Sequence, residues 1–291
     1  MASIGIVGTG MLGNAVGLRL LDEGNRLFVF NRTAEKTREL EGRGAKACRS
    51  PKQVAGNSEI LITAVKDAGA VRQVAFGANG IVEGRHDGLV IADMSTISPL
   101  ESKQIAQRYR ESGIEMLDTP VMGGPNVAIS GNLVMMAAGD EGAFNRYKSV
   151  FETVAGKVFY LGEAGTAHAV KLAMNLQIAM LALALSEGIT LARGADVDPE
   201  VFLKILNSTY FKTGMSENKA FKMIRGEFSP TFTLENLKKD LHTINQTSES
   251  LGIRLPMSGR AEEVYNAAVE NGFGGLDYTG ILAYIRQIPR P

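Results

Sequence analysis

Short apolar runs alternate with amphipathic stretches over the first half of the chain, and the alternation stops near Gly162. Residues 3–7 (SIGIV), 27–30 (LFVF), 59–65 (EILITAV), 89–94 (LVIADM) and 114–118 (IEMLD) are brief and rich in aliphatic side chains. Runs of this kind suit strands buried on both faces, since a strand with one face in water would alternate polar and apolar residues. Stretches with helical spacing, such as 99–112, separate them, which predicts an α/β fold with a parallel, doubly wound sheet. Residues 133–138 (LVMMAA) and 157–161 (KVFYL) add two more strands, with a helix at 141–154 between them. Beyond Gly162 only helical patterns remain, at 198–207, 215–224, 233–251 and 256–271. A sheet domain is therefore expected over 1–162 and an all-helical domain over 163–291.

The helical part opens with a long interdomain stretch, 164–194, rich in Ala, Leu and Met. Lys171, Asn175, Gln177, Glu187 and Arg193 interrupt it, so no clean apolar run of membrane-spanning length is expected. A helix about 45 Å long and apolar on nearly all sides calls for cover all round, from other helices or a second subunit.

Composition narrows the chemistry. The 291 residues carry 31 Lys or Arg and 31 Asp or Glu, a formal net charge of zero. No run interleaves basic and aromatic residues, so a nucleic-acid partner is not expected. The single cysteine, Cys48, allows neither an intrachain disulfide nor a thiolate metal cage. His86, His168 and His242 lack metal-ligand spacing. The expected partners are a small-molecule substrate and further copies of the chain, as a homodimer or homotetramer, with no metal and no membrane. The first strand begins almost at the N-terminus, leaving no room for a signal peptide, and a cytoplasmic location is expected.

Gly8-Thr9-Gly10-Met11-Leu12-Gly13 lies between the first strand and the first helix, the arrangement of a dinucleotide-binding turn. Gly8 permits the tight turn, Gly10 lets the backbone approach a pyrophosphate, and Gly13 lets the helix sit close on the sheet. The free N–H groups at the helix start, around Thr9, Met11 and Leu12, then face the negative charge. The sheet domain is accordingly expected to be Rossmann-type. Its second strand ends at Asn31-Arg32-Thr33. A chain selective for the non-phosphorylated cofactor usually carries Asp or Glu here, about 20 residues after the glycines, on the ribose diol. Asn31 instead offers hydrogen bonds, Arg32 a planar cationic fork suited to a 2′-phosphate, and Thr33 a hydroxyl. NADP(H) is expected in preference to NAD(H).

Ligands of open α/β sheets gather beyond the carboxyl ends of the strands. That rule singles out Val65-Lys66-Asp67, Asp93-Met94-Ser95-Thr96 and residues 118–126. Lys171 is the candidate catalyst, because a charge on an apolar helix is costly without a partner or a task. Asn175 follows one turn later on the same face. A lysine beside a nicotinamide would hydrogen-bond a substrate carbonyl and supply a proton as hydride arrives. In reverse, a neutral amine, which burial favours, would accept the hydroxyl proton. A lysine snorkelling to water accounts for Lys171 alone equally well. Lys238-Lys239-Asp240 reads first as a solvated helix face.

Taken together, these segments resemble the β-hydroxyacid dehydrogenase family, which includes 3-hydroxyisobutyrate dehydrogenase and tartronate semialdehyde reductase and is related more distantly to 6-phosphogluconate dehydrogenase. The resemblance covers essentially the whole chain. GIVGTGMLG at 5–13 resembles the family's cofactor loop, and DMSTISP at 93–99 its nicotinamide-side loop, with Thr96 as a cofactor contact. DTPVMGG at 118–124 resembles the substrate-binding segment. GEAGTAHAVKLAMN at 162–175 resembles the helix whose catalytic lysine matches Lys171. LKKDL at 237–241 resembles the last motif, whose lysine matches Lys239 near the cofactor.

The resemblance implies a Rossmann-type domain, a helical C-terminal domain, and an active site in the cleft between them. It implies hydride transfer between NAD or NADP and the hydroxyl carbon of a small hydroxy acid, of the 3-hydroxyisobutyrate, L-serine, glyoxylate or succinic semialdehyde type. Lys171 would be the acid–base and Asn175 would orient it or the substrate. Ser95, Met122, Gly123 and Gly124 would line the substrate site, and Val65, Lys66, Thr96 and Lys239 the cofactor site. Two positions depart from the family. Met122 stands where the family has a carboxylate-binding serine, leaving the backbone N–H groups of Gly123 and Gly124. Val65-Lys66 stands where many relatives have Leu-Pro. Imine reductases share the architecture but generally lack the lysine, and a non-catalytic NADP-binding scaffold is the remaining alternative.

Overall fold

The computed structural model describes residues 2–288. The chain divides into two compact units, Met1–Lys171 and Leu172–Pro291. In the first, β1 (Ser3–Val7), β2 (Arg26–Phe30), β3 (Lys46–Ala47), β4 (Ile60–Thr63), β5 (Val90–Asp93) and β6 (Glu115–Asp118) form a parallel sheet in the order β3-β2-β1-β4-β5-β6. The order reverses at β1, which is the doubly wound topology. The connections run through α1 (Met11–Asp22), α2 (Arg38–Gly42), α3 (Pro51–Ala55), α4 (Ala68–Phe76) and α5 (Pro99–Glu111).

The continuous apolar runs follow from burial on both faces. Ile60, Ile62, Val90 and Ala92 join one core with Ile4, Val16 and Leu20, while Leu61 and Ile91 join another with Val54, Ile105 and Tyr109. Alternate residues of one strand thus feed opposite cores. Helix starts are set locally. Ser50, Asp67 and Ser98 accept backbone N–H groups in the first turns of α3, α4 and α5 at 3.2, 2.8 and 3.2 Å.

The two later strands do form, but apart from the main sheet. β7 (Val121–Met122), β8 (Leu133–Ala137) and β9 (Ala155–Tyr160) make a three-stranded sheet in that order, with β7 antiparallel to β8 and β8 parallel to β9. α6 (Pro125–Ile129) joins β7 to β8, and α7 (Glu141–Val154) joins β8 to β9. Asp118 and Ala138 exchange backbone hydrogen bonds at 2.9 and 3.0 Å, so the second sheet is tied to the end of β6.

α8 (Thr166–Gly194) runs 29 residues through the division between the units. The second unit adds α9 (Pro199–Asn207), α10 (Gly214–Asn218), α11 (Ala220–Arg225), α12 (Leu234–Ser250), α13 (Pro256–Ala268) and α14 (Ile281–Ile285). Leu172, Ala179 and Ala182 of α8 share a core with Leu237 and Leu241 of α12 and Tyr265 of α13. The helix expected over 215–224 is two, meeting at Lys219, whose φ of −115° departs from helical geometry. The one expected over 256–271 passes after Ala268 into a wide turn, Val269–Phe273, where Gly272 has φ 89°.

A window of α8 reaches a mean hydropathy of 1.6, so by length and composition the helix is long and apolar enough to cross a membrane. The expected interruptions fail to break the run because the polar residues between Lys171 and Glu187 are uncharged. Nor do the described residues cover the helix all round: Val170, Met174, Leu181 and Leu191 are 39–76% exposed.

Candidate functional site

In the main sheet Val7 pairs with Phe30 and Thr63, Thr63 with Asp93, and Asp93 with Asp118, which sets five strand ends in one row. The glycine loop leaves this row at β1. Gly8 has φ +102°, and a Cβ there would lie 2.3 Å from the Ala64 carbonyl oxygen. A Cβ on Gly13 would lie 2.0 Å from the carbonyl oxygen of Gly8, so α1 rests directly on its own loop. Gly10 differs: a Cβ there would meet nothing within 4 Å, and no side chain caps α1. Open space in front of uncapped N–H groups fits a pyrophosphate.

The flanking residues brace this cradle. Thr9 is buried; its N–H donates to Asn31 Oδ1 at 3.1 Å and its hydroxyl to the Lys36 carbonyl at 2.9 Å. Asn31 Nδ2 donates to the Thr33 carbonyl at 2.9 Å, so both ends of its amide are engaged within the protein. Leu12 packs on the core and Met11 is exposed. Arg32 and Thr33 are exposed at the tip of the turn. That surface can take a phosphate next to the ribose position.

A second set of loops follows β4, β5 and β6. Val65 N–H donates to Ser95 Oγ at 3.1 Å, and Ser95 N–H donates to Asp93 Oδ1 at 3.2 Å. The Thr63 hydroxyl donates to the same oxygen at 2.6 Å. Ser95 is itself buried, Thr96 half-buried and Lys66 exposed. Asp118 accepts from the Ser102 hydroxyl and the Gly165 N–H. His168 Nε2 lies 3.5 Å from Asp118 Oδ1 and 3.8 Å from Asp93 Oδ2, with all three side chains fully buried.

Burial pushes both carboxyls up. At Asp93 the charge of His168 and the hydrogen bonds from Thr63 and Ser95 oppose the rise. At Asp118 the opposition from Ser102, Gly165 and the Lys103 charge leaves the carboxyl at about 6.

Lys171 Nζ donates to the Val121 carbonyl at 2.8 Å and to Met122 Sδ at 3.3 Å. Its ammonium is thus seated on β7, at the start of the glycine-bearing segment. Gly123 there has φ +123° and is exposed, and the half-buried Gly124 precedes α6. An ammonium so held can donate to an oxygen and take a proton back.

In the second unit Asn175 is buried, and its Nδ2 donates to Asp240 Oδ2 at 2.6 Å. Lys239 Nζ lies 2.6 Å from Asp240 Oδ1. Asn175 Oδ1 is buried with no hydrogen-bond partner among the described residues. The first unit therefore gathers the glycine loop, Asn31, Val65, Ser95, Met122 and Lys171, and the second gathers Asn175 and Lys239 around Asp240. Sequence reasoning places Asp93 and Asp118 in strand-end loops and Asp240 on a solvated helix face, but gives none of the three, nor His168, these contacts. Asp240 did leave a signal: it is only 1% exposed, on the apolar stripe of α12 with Leu237, Leu241 and Ile244.

The sequence model for the NAD binding domain of 6-phosphogluconate dehydrogenase matches residues 3–162, and that for NAD-binding of NADP-dependent 3-hydroxyisobutyrate dehydrogenase matches 165–285. The 2-hydroxy-3-oxopropionate reductase of Escherichia coli K12 is 31% identical over 279 residues, 96% of this chain and 95% of that protein. The chain belongs to the β-hydroxyacid dehydrogenase family. A crystal structure of 3-hydroxyisobutyrate dehydrogenase from Salmonella typhimurium matches this β-hydroxyacid dehydrogenase with a TM-score of 0.89 at 28% identity, covering 98% of this chain and 100% of that one. The cytokine-like nuclear factor N-PAC of Xenopus tropicalis is 32% identical over 91% of this chain, which spans 50% of that longer protein. The chain is an NAD(P)-dependent hydroxyacid dehydrogenase, with a Rossmann-type domain for the nicotinamide cofactor and a helical C-terminal domain.

Proposed function

We propose that this β-hydroxyacid dehydrogenase transfers hydride between NADP(H) and a short β-hydroxy acid or aldehyde acid, using Lys171 as proton donor and acceptor. The observation that carries the reading is the seat of Lys171. Its ammonium is turned inward onto the Val121 carbonyl and the Met122 sulfur, at the head of the glycine segment. A bound nicotinamide supplies or takes the hydride. As the carbonyl carbon is reduced, its oxygen gains negative charge, and an ammonium within hydrogen-bond reach stabilises that charge and delivers the proton. In oxidation the amine takes the proton back. Val121 O and Met122 Sδ both accept from the ammonium and so aim it.

Asn175 steadies the substrate oxygen or the lysine in this reading. Asp240 holds one end of its amide and leaves Oδ1 buried without a partner among the described residues. Gly123 and Gly124 offer backbone N–H groups to the carboxylate, where Met122 contributes no hydroxyl. Ser95 supports the substrate side through Asp93, and Val65, Lys66, Thr96 and Lys239 belong to the cofactor side. The exposed Arg32 favours the 2′-phosphate of NADP. Candidate substrates are 3-hydroxyisobutyrate, L-serine, glyoxylate and succinic semialdehyde. A homodimer or homotetramer, supported by the exposed apolar residues of α8, and a cytoplasmic location complete the reading.

The test is NADPH consumption with a panel of short aldehyde acids, glyoxylate and cyclic imines, run beside Lys171→Ala. Turnover of an aldehyde acid is expected, falling ~100-fold or more in the variant, as for loss of a general acid. NADPH affinity should survive. Undiminished turnover removes Lys171 from the mechanism. Reduction of imines alone moves the reaction to C=N bonds, and silence with NADPH still bound favours a non-catalytic scaffold.

A further inference from the structure

His168 has no role in the proton transfer proposed above, yet it lies where the loops after β5 and β6 meet the start of α8. It stands on the first turn of α8 with its imidazole fully buried, Nε2 between Asp118 Oδ1 at 3.5 Å and Asp93 Oδ2 at 3.8 Å. These two acids are register partners at the ends of β5 and β6. From Asp93 the contacts run through the Ser95 N–H to Ser95 Oγ and the Val65 N–H, which ties in the loop after β4. From Asp118 they run to the Gly165 N–H at the entry to α8. Three residues beyond Asp118, the Val121 carbonyl receives the Lys171 ammonium.

Gly165, His168 and Lys171 therefore fasten the start of α8 to the segment 118–122 at three successive points. One α-helical turn separates the imidazole from the lysine, so a shift or rotation at one is transmitted to the other. A histidine that only filled space would be an expensive choice, because buried polar and charged groups cost free energy unless matched. Here the imidazole lies within ion-pair range of acids on two different strands, and both serve loops assigned to cofactor or substrate.

We infer that His168 is a positioning residue for hydride transfer: by bridging Asp93 and Asp118 it sets the height of α8 against the substrate segment, and with it the place of the Lys171 ammonium. This inference rests on the assignment of Lys171 as the acid–base.

His168→Ala is the direct test, read as kcat, KM and NADPH affinity, with and without imidazole in the buffer. The expected result is a kcat lowered ~10-fold or more, since small misplacements of a reacting group cost rate steeply, with NADPH affinity within about 2-fold of the parent. Free imidazole, entering the space left by the side chain, should restore part of the lost kcat. A merely structural histidine would lower the unfolding midpoint and leave kcat of the folded fraction intact, and that result overturns the inference. Should the alanine variant fail to fold, Asp93→Asn keeps the volume and removes one pole of the bridge. Lowered kcat in that variant, coupled non-additively to His168→Gln, supports the bridge, and additive or absent effects overturn it. An active Lys171→Ala would sink the parent assignment. An inactive Lys171→Ala beside a fully active His168→Ala would sink this inference alone.

Discussion

In the proposed reading, Arg32 is the side chain that sets cofactor choice. It follows directly on Asn31, whose amide is engaged at both ends and fixes the turn from which the guanidinium projects. A charge-assisted hydrogen bond is worth roughly 1.5–3 kcal/mol, so Arg32→Asp should weaken NADPH binding by about 10- to 100-fold and leave NADH binding far less affected. Fluorescence titration of both cofactors measures the ratio, and an unchanged ratio would locate selectivity elsewhere. At this scale the sequence was legible where a residue breaks its local pattern. The three glycines interrupt a strand–helix junction, and Lys171 interrupts an apolar helix. The meeting of Asp93, Asp118 and His168 was not legible, because a carboxylate at a strand end resembles any solvent-facing loop residue until its neighbours are known. Asn31 read as a group offered to a ligand, whereas its hydrogen-bonding capacity goes largely to bracing the loop.

The turn between β1 and α1 shows how an element divides labour among identical residues. Gly13 is required by the fold, since a Cβ would come within 2.0 Å of the Gly8 carbonyl oxygen, whereas the Cβ position of Gly10 is open. Gly13→Ala should therefore destabilise the protein by about 1–3 kcal/mol, the usual cost of overpacking. Gly10→Ala should leave the unfolding midpoint unchanged and weaken NADPH binding, because its methyl would stand where a pyrophosphate approaches. Thermal unfolding with and without NADPH separates the two, and equal midpoints would contradict the division. The strands and long helices of the first unit were legible because length and apolar periodicity suffice to identify them. Their partners were not. β8 and β9 look like any other buried strands, and only the two-residue β7 and the exchange at Asp118 and Ala138 place them in a separate sheet. The split at Lys219 was equally hidden, since the apolar spacing continues across it.

Across the whole molecule, buried titratable groups tie folding to pH. Burial raises the Asp118 carboxyl from 3.8 to about 6, so the folded chain binds this proton more tightly than the unfolded chain. Below about pH 4 both states hold the proton and the contribution to stability is complete. As pH rises through about 6 the contribution is lost, amounting to about 3 kcal/mol at neutral pH. Asp118→Asn cannot titrate, so its stability relative to the parent should climb between pH 4 and 7. Urea denaturation across that range provides the measurement, and a constant difference would mean that Asp118 does not titrate there.

The division of the chain at Lys171 and Leu172, inside an unbroken helix, has a consequence for recombination. By sequence family, Lys171 travels with the C-terminal segment, 165–285. By packing, its amine belongs to the N-terminal unit, where it meets Val121 and Met122. A chimera joined at the obvious seam near Gly162 would pair a lysine from one parent with a seat from the other. Crossovers made within α8, after Lys171, would keep the two together, so the modular boundary of this enzyme lies inside a helix rather than in the loop before it.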